Sequence, residues 1–133
     1  MIIRTETGNI MEGRETRIAF AVNAEGINEA GFAGWVGLFY WPELQSIGET
    51  KLGSVKRKEI NGIEFFALCC HSLKNGWINQ KKVITQCFDA IPGDEPIATV
   101  SIGRGRVGQK TGANFELIRA GMEASKKKII LYE

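Results

Sequence analysis

Two stretches of this 133-residue chain place glycines where an anion could be held. The first, Asn23-Ala24-Glu25-Gly26-Ile27-Asn28-Glu29-Ala30-Gly31, follows the apolar run Arg17–Val22. The second, Gly103-Arg104-Gly105-Arg106-Val107-Gly108-Gln109-Lys110-Thr111-Gly112, follows Ile97–Ile102. Each is predicted to leave the carboxyl end of a buried strand and lead into a helix, where open α/β sheets bind ligands. Glycine allows positive φ and close approach to backbone amides, and the helix N-terminus beyond offers unpaired N–H groups and partial positive charge. Two such loops side by side suit a diphosphate better than one phosphate; the alternative is two glycine-rich surface turns with no ligand. Arg104 and Arg106 alternate with glycines, so they could fold over phosphates or simply face solvent.

Other chemistries fit less well. Gln109 separates Gly108 from Lys110-Thr111, so the P-loop spacing G-x-x-x-x-G-K-[ST] is not met. Gly103, Gly105 and Gly108 match G-x-G-x-x-G, but no following strand carries an acidic residue about 20 positions on. Cys69, Cys70 and Cys87 have no framework spacing, and neighbours in a strand point to opposite faces. His71 beside them invites a zinc reading that no second ligand cluster supports, so no metal is expected and the thiols read as buried and reduced. His71 is the one side chain with an ordinary pKa near neutrality, which makes it a candidate general base or else a hydrogen-bonded residue at a strand end. Glu25 is the second catalytic candidate, able to orient a water or a sugar hydroxyl.

These residues need elements to position them. Arg17–Val22, Phe65–Cys70, Ile97–Ile102 and Ile129–Tyr132 are short apolar runs that read as strands buried on both faces. Met1–Thr5 reads as an edge strand, and Ser54–Ile60 as a strand turning at Asn61-Gly62 into Ile63–Cys70. Phe32, Trp35, Val36, Phe39 and Tyr40 recur at helical spacing and predict one inward stripe. Further helices are predicted over about Asn79–Ala90 and Gly112–Ser125, with Val83, Ile84, Cys87, Phe88, Phe115, Ile118 and Met122 inward. Strands alternating with helices predict an α/β fold, a largely parallel sheet covered on both faces, in a single domain over 1–133. Trp35, Trp41 and Trp77 could serve a core or an interface, and periodicity does not decide.

Composition limits the partners. A hydrophobic fraction of 44% with 24% charged residues is that of a globular chain. A net charge of +2 argues against a general affinity for nucleic acid. Lys126–Lys128 reads as a solvated helix end. No run approaches the ~18 apolar residues of a membrane span, so a soluble, cytoplasmic protein is expected.

Thr7-Gly8-Asn9-Ile10, Ala21-Val22-Asn23-Ala24 and Glu29-Ala30-Gly31-Phe32-Ala33, in that order, resemble the macro-domain family. Trp41-Pro42-Glu43-Leu44, Leu52-Gly53-Ser54-Val55 and Ile97–Gly105 are similar to that family's later segments, and the layout resembles the small terminal ADP-ribose glycohydrolases. The resemblance implies a three-layer α/β/α fold with a mixed, largely parallel central sheet. It implies binding of ADP-ribose or a related nucleotide, with no cofactor and with an ADP-ribosylated protein as a further partner. Asn9 and Ile10 would form an adenine pocket, and Asn23 and Glu25 a distal-ribose site. The diphosphate would lie between Ala30, Gly31 and Phe32 on one loop and Ser101, Gly103, Arg104, Gly105 and Arg106 on the other.

Departures from the pattern matter too. Glu29 stands where the family has glycine, and a carboxylate beside a diphosphate is repulsive by ~1 kcal/mol or more. The lysine and aspartate of the glycohydrolase-like relatives are matched here by Cys70 or His71 and by Val107. Three readings follow: a binding module with weak hydrolase activity, a hydrolase working through Glu25 and His71, and a degenerate fold serving as an interaction module. The last predicts a cleft blocked by Glu29, Phe32 or Trp35.

Overall fold

The computed structural model describes residues 1–133. Six strands form one sheet: β1 (Ile2–Glu6), β2 (Arg17–Asn23), β3 (Val55–Ile60), β4 (Ile63–His71), β5 (Ile97–Thr99) and β6 (Ile129–Tyr132). Their spatial order is β1-β6-β5-β2-β4-β3, and every pairing is parallel except the β3–β4 hairpin. That hairpin turns at Asn61-Gly62, both with positive φ, as expected of a tight turn. Four helices cover the sheet: α1 (Gly31–Phe39), α2 (Gln80–Asp89), α3 (Arg106–Lys110) and α4 (Phe115–Ala124). Short 3-10 turns occupy Ile10–Glu12 and Pro42–Ser46.

Alternation along β2 and β4 splits the core in two. Ala19, Phe66, Leu68 and Cys70 pack under Val83, Ile84, Cys87 and Phe88 of α2 and Ile118 and Met122 of α4. Ile18, Phe20, Val22, Phe65, Ala67 and Cys69 pack under Ala33 and Val36 of α1, with Trp41 and Leu44 beside them. The result is a three-layer α/β/α fold on a mixed, largely parallel sheet. Cys69 and Cys70 face opposite layers, and all three cysteines are buried and unpaired. No helix is long and apolar enough to cross a membrane.

Three expectations need correction. The predicted α1 stripe is inward only in part: Val36 is fully buried and Phe32, Trp35 and Tyr40 pack against the core, but Phe39 is 63% exposed, while Ala33, Gly34 and Gly37, outside the stripe, are buried. Close packing on the small face explains this, since a Cβ at Gly34 would lie 2.6 Å from the Glu29 carbonyl. The aromatic residues also stack along the helix, Phe32 on Trp35 and Trp35 on Phe39 and Tyr40, while Phe32 and Tyr40 meet Phe20 and Phe65 of the sheet. Second, β5 ends at Thr99, so Ile102 is a buried loop residue. Third, the second glycine-rich loop is interrupted: Arg106–Lys110 coil into α3, and the following helix begins only at Phe115. Asn114 caps that helix, its side chain accepting from the N–H groups of Glu116 and Leu117.

Candidate functional site: a cleft above the parallel strands

The parallel strands β2, β4 and β5 end on one side of the sheet, and a cleft of about 560 Å³ opens there. Its walls are the Asn23–Ala33 segment, the end of β4 with Leu73 and Trp77, and the Val100–Gly108 segment. The β2–β4 register slips between Val22 and Asn23, so Asn23 lies beside His71 while Cys70 stays in the core. Glu29 and Arg106 are the charged side chains in the lining, of opposite sign.

The first loop is tightly tied. The Asn23 Nδ2 donates to the Ile27 carbonyl at 2.6 Å, and its Oδ1 accepts from the Ile27 N–H at 3.0 Å. Buried Asn28 accepts from the Asn23 N–H, and Gln45 donates to the Asn28 carbonyl at 2.8 Å. Asn23 lines the cleft, but its amide is engaged in closing its own loop. Beyond it, Ala30 is extended and caps α1 without a side-chain bond, and Gly31 begins the helix at φ +62° with open space where a Cβ would stand. Ala30, Gly31 and Phe32 thus bring the α1 N-terminus to the cleft.

Glu25 turns away from the cleft lining. Its carboxylate accepts from the Ser72 hydroxyl at 2.6 Å and from the Leu73 N–H at 2.7 Å, bracing the first loop against the turn after β4. The Ser72 hydrogen bond, chiefly, holds its pKa below the usual carboxylate value. His71 does line the cleft. It is only 7% exposed, neither ring nitrogen has a partner, and burial pushes its pKa down against the opposing pull of Glu25. The imidazole is therefore neutral at pH 7. Its ring stacks on Trp77, whose Nε1 donates to Thr111 Oγ1 at 2.8 Å.

In the second loop, Ser101 lines the cleft while its hydroxyl donates to the Tyr132 carbonyl. Gly103 (φ +85°) has a packing reason of its own: a Cβ would lie 2.6 Å from the Ile118 side chain and 3.0 Å from Ala113. Gly105 faces open space and caps α3, and Arg106 follows it into the lining. Arg104 is directed elsewhere, its guanidinium 3.7 Å from the centre of the Phe115 ring. Asn9 caps the first 3-10 turn through Met11, and Ile10 is buried in the α1-side core; neither is in the cleft lining.

The structure therefore brings together Asn23, Ala30, Gly31, Phe32, His71, Ser101, Gly103, Gly105 and Arg106, and leaves Asn9, Ile10, Glu25 and Arg104 outside the lining. The lining residues absent from the expected set are chiefly apolar: Ile27, Leu73, Trp77 and Val107. Trp77 stood out in the sequence only as a tryptophan of undecided place, because no periodicity links it to His71 six positions earlier.

No protein-family model and no curated protein matches the sequence. Solved structures do match. The macrodomain of Mycobacterium tuberculosis DarG superposes with a TM-score of 0.70 at 13% identity, covering 99% of this chain and 97% of that one. An Oceanobacillus iheyensis macrodomain variant with ADPR gives a TM-score of 0.67 at 12% identity, covering 96% of this chain and 82% of that one. An alphavirus protein, P23pro-zbd, gives 0.68 at 14% identity over 98% of this chain, which spans 21% of that longer chain. With six strands in this order and layers of helix on both faces, the chain has the macrodomain fold.

Proposed function

We propose that the protein binds ADP-ribose or a related ADP-ribosyl nucleotide in the cleft between the Asn23–Ala33 and Val100–Gly108 segments. The observation that carries this reading is the cleft itself, open at the carboxyl ends of β2, β4 and β5 and bordered by the α1 N-terminus and Arg106. Glu29 and Phe32 form walls rather than a plug, which favours a ligand site over a blocked interaction module. A macrodomain of the same fold has been solved with ADPR, which supports the same ligand class here. The α1 N-terminus and Arg106 hold the diphosphate, and Phe32 offers an aromatic face to one end of the nucleotide. An ADP-ribosylated protein is the macromolecular partner this reading implies, and three reduced thiols suit a cytoplasmic setting.

Isothermal titration with ADP-ribose, and with AMP as control, tests the reading. Micromolar binding of ADP-ribose with much weaker binding of AMP is expected. No heat beyond dilution with ADP-ribose would overturn it.

A second reading, slow ADP-ribosyl hydrolysis, is favoured by His71: a neutral, unpartnered imidazole in the lining is suited to accept a proton from water. Glu25, bound to Ser72 and Leu73, acts in that reading only through the loop it braces. Release of ADP-ribose from a modified peptide, lost in His71→Phe, is the expected result; equal release by both proteins would end the assignment.

A further inference from the structure

Three apolar side chains at the cleft are exposed: Ile27 by 55%, Leu73 by 36% and Val107 by 37%. They come from three different segments, the loop after β2, the turn after β4 and helix α3. A single exposed aliphatic residue is ordinary. What sets these apart is the backbone beneath them. The Asn23 amide holds both the N–H and the carbonyl of Ile27. The Glu25 carboxylate holds the Leu73 N–H. The Val107 carbonyl accepts from the Thr111 N–H at 3.0 Å and from its hydroxyl at 2.8 Å, and that hydroxyl oxygen also receives the Trp77 indole N–H. Three polar side chains thus fix three aliphatic ones around one opening. Fixed in this way, the aliphatic groups gain most by burying their surface against a ligand that arrives with an apolar face.

The surface behind this rim points the same way. Trp77 and His71 line the same cleft as a flat stack, and His71 is more than nine-tenths buried with both nitrogens unpartnered. An unpartnered polar group at that depth calls for a partner, which a group entering the cleft can supply. Of the charged lining residues, Glu29 lies before α1, on neither the β4 turn nor the loop segment held by Asn23, and Arg106 adjoins Val107 at the start of α3, where the apolar rim meets the charged part of the cleft.

We propose that Ile27, Leu73 and Val107, backed by Trp77 and His71, form a subsite for a flat heterocycle joined to the far sugar of the bound nucleotide. The preferred ligand is then an ADP-ribosyl N-glycoside of dinucleotide type rather than free ADP-ribose. This rests on the cleft being a nucleotide site. One rigid ring face can cover three aliphatic side chains at little entropic cost, whereas a bare sugar hydroxyl leaves them in water.

Calorimetric titration with reduced nicotinamide adenine dinucleotide and with ADP-ribose tests the subsite, on the natural protein and on the triple variant Ile27→Ser, Leu73→Ser, Val107→Ser. The natural protein is expected to favour the dinucleotide by about tenfold, and the triple variant to bring that ratio close to one. If the triple variant fails to fold, Leu73→Ser alone should lower the ratio about threefold. Equal affinities in the natural protein, or a preference that survives the substitutions, would overturn the subsite and leave the nucleotide reading intact. Failure of both ligands to bind the natural protein would overturn both.

Discussion

The imidazole of His71 lies flat against the indole of Trp77, with ring centroids 4.5 Å apart and planes 5° apart. The stack buries the imidazole, and burial holds its pKa below the ordinary value of 6.5. The unfolded chain therefore takes up this proton at a higher pH than the folded protein does. The His71 contribution to stability is full above pH 6.5 and is lost as the pH falls from there through the folded-state value. Glu25, with its lowered pKa, adds a separate loss that begins only below its ordinary 4.5. His71→Phe keeps a ring against Trp77 and removes the titration. Urea midpoints measured between about pH 7 and 5 should fall less steeply in the variant; identical slopes would mean the His71 proton is not responsible.

Glu25 joins two loops that are distant in sequence, and its role is predicted to be mechanical. Glu25→Ala removes the acceptor for the Ser72 hydroxyl and the Leu73 N–H and should cost about 1 kcal/mol, partly compensated by water at this accessible site. Thermal melts measure that loss. In a hydrolase assay, Glu25→Gln should retain most of its rate while His71→Phe does not. The reverse order would restore Glu25 as the catalytic group.

The glycines of the second loop divide into two kinds. Gly103→Ala forces a methyl group onto Ile118 and Ala113 at positive φ and should destabilise by about 2 kcal/mol or more. Gly105→Ala meets open space at ordinary φ and should change stability by less than about 0.5 kcal/mol. Denaturant titrations of the two variants separate packing from ligand access, and equal costs would contradict the division.

The two arginines of that loop are predicted to behave differently. Arg106→Ala should weaken ADP-ribose binding about fivefold at physiological salt, and less steeply so as salt rises. Arg104→Ala loses a cation–π contact with Phe115 at the surface, about 0.5 to 1 kcal/mol of stability, and leaves the affinity unchanged. Calorimetry on both proteins at two salt concentrations checks the pair. A large affinity loss in Arg104→Ala would show that its guanidinium leaves Phe115 when ligand arrives.

The order of strands and helices was legible because apolar runs such as Phe65–Cys70 and the Val83-Ile84-Cys87-Phe88 spacing carry their own periods. The face of α1 was legible only in part, since periodicity counts every aromatic ring as core and Phe39 is exposed while Val36 is buried. Here Gly34 and Gly37 decide which side can approach Glu29 and Gln45. The break at α3 was hidden for a related reason. A run rich in glycine and arginine reads as one loop, until the fold shows Gly108 so close to Gly103 that a Cβ there would lie 2.6 Å from the Gly103 carbonyl oxygen.

At the cleft the same division holds. The sequence by itself determined that two glycine-bearing connections follow buried strands, and strand polarity then places both on one side of a parallel sheet. Only the tertiary structure decided which side chains are available there. Asn23, Glu25 and Arg104 carry polar groups suited to a ligand, but Ile27, Ser72 and Phe115 engage them first. Hydrogen bonds and ring contacts are short-ranged and directional, so residue type and spacing along the chain do not specify them. The His71–Trp77 stack and the rim of Ile27, Leu73 and Val107 arise because β2, β4 and the α3 segment meet in space.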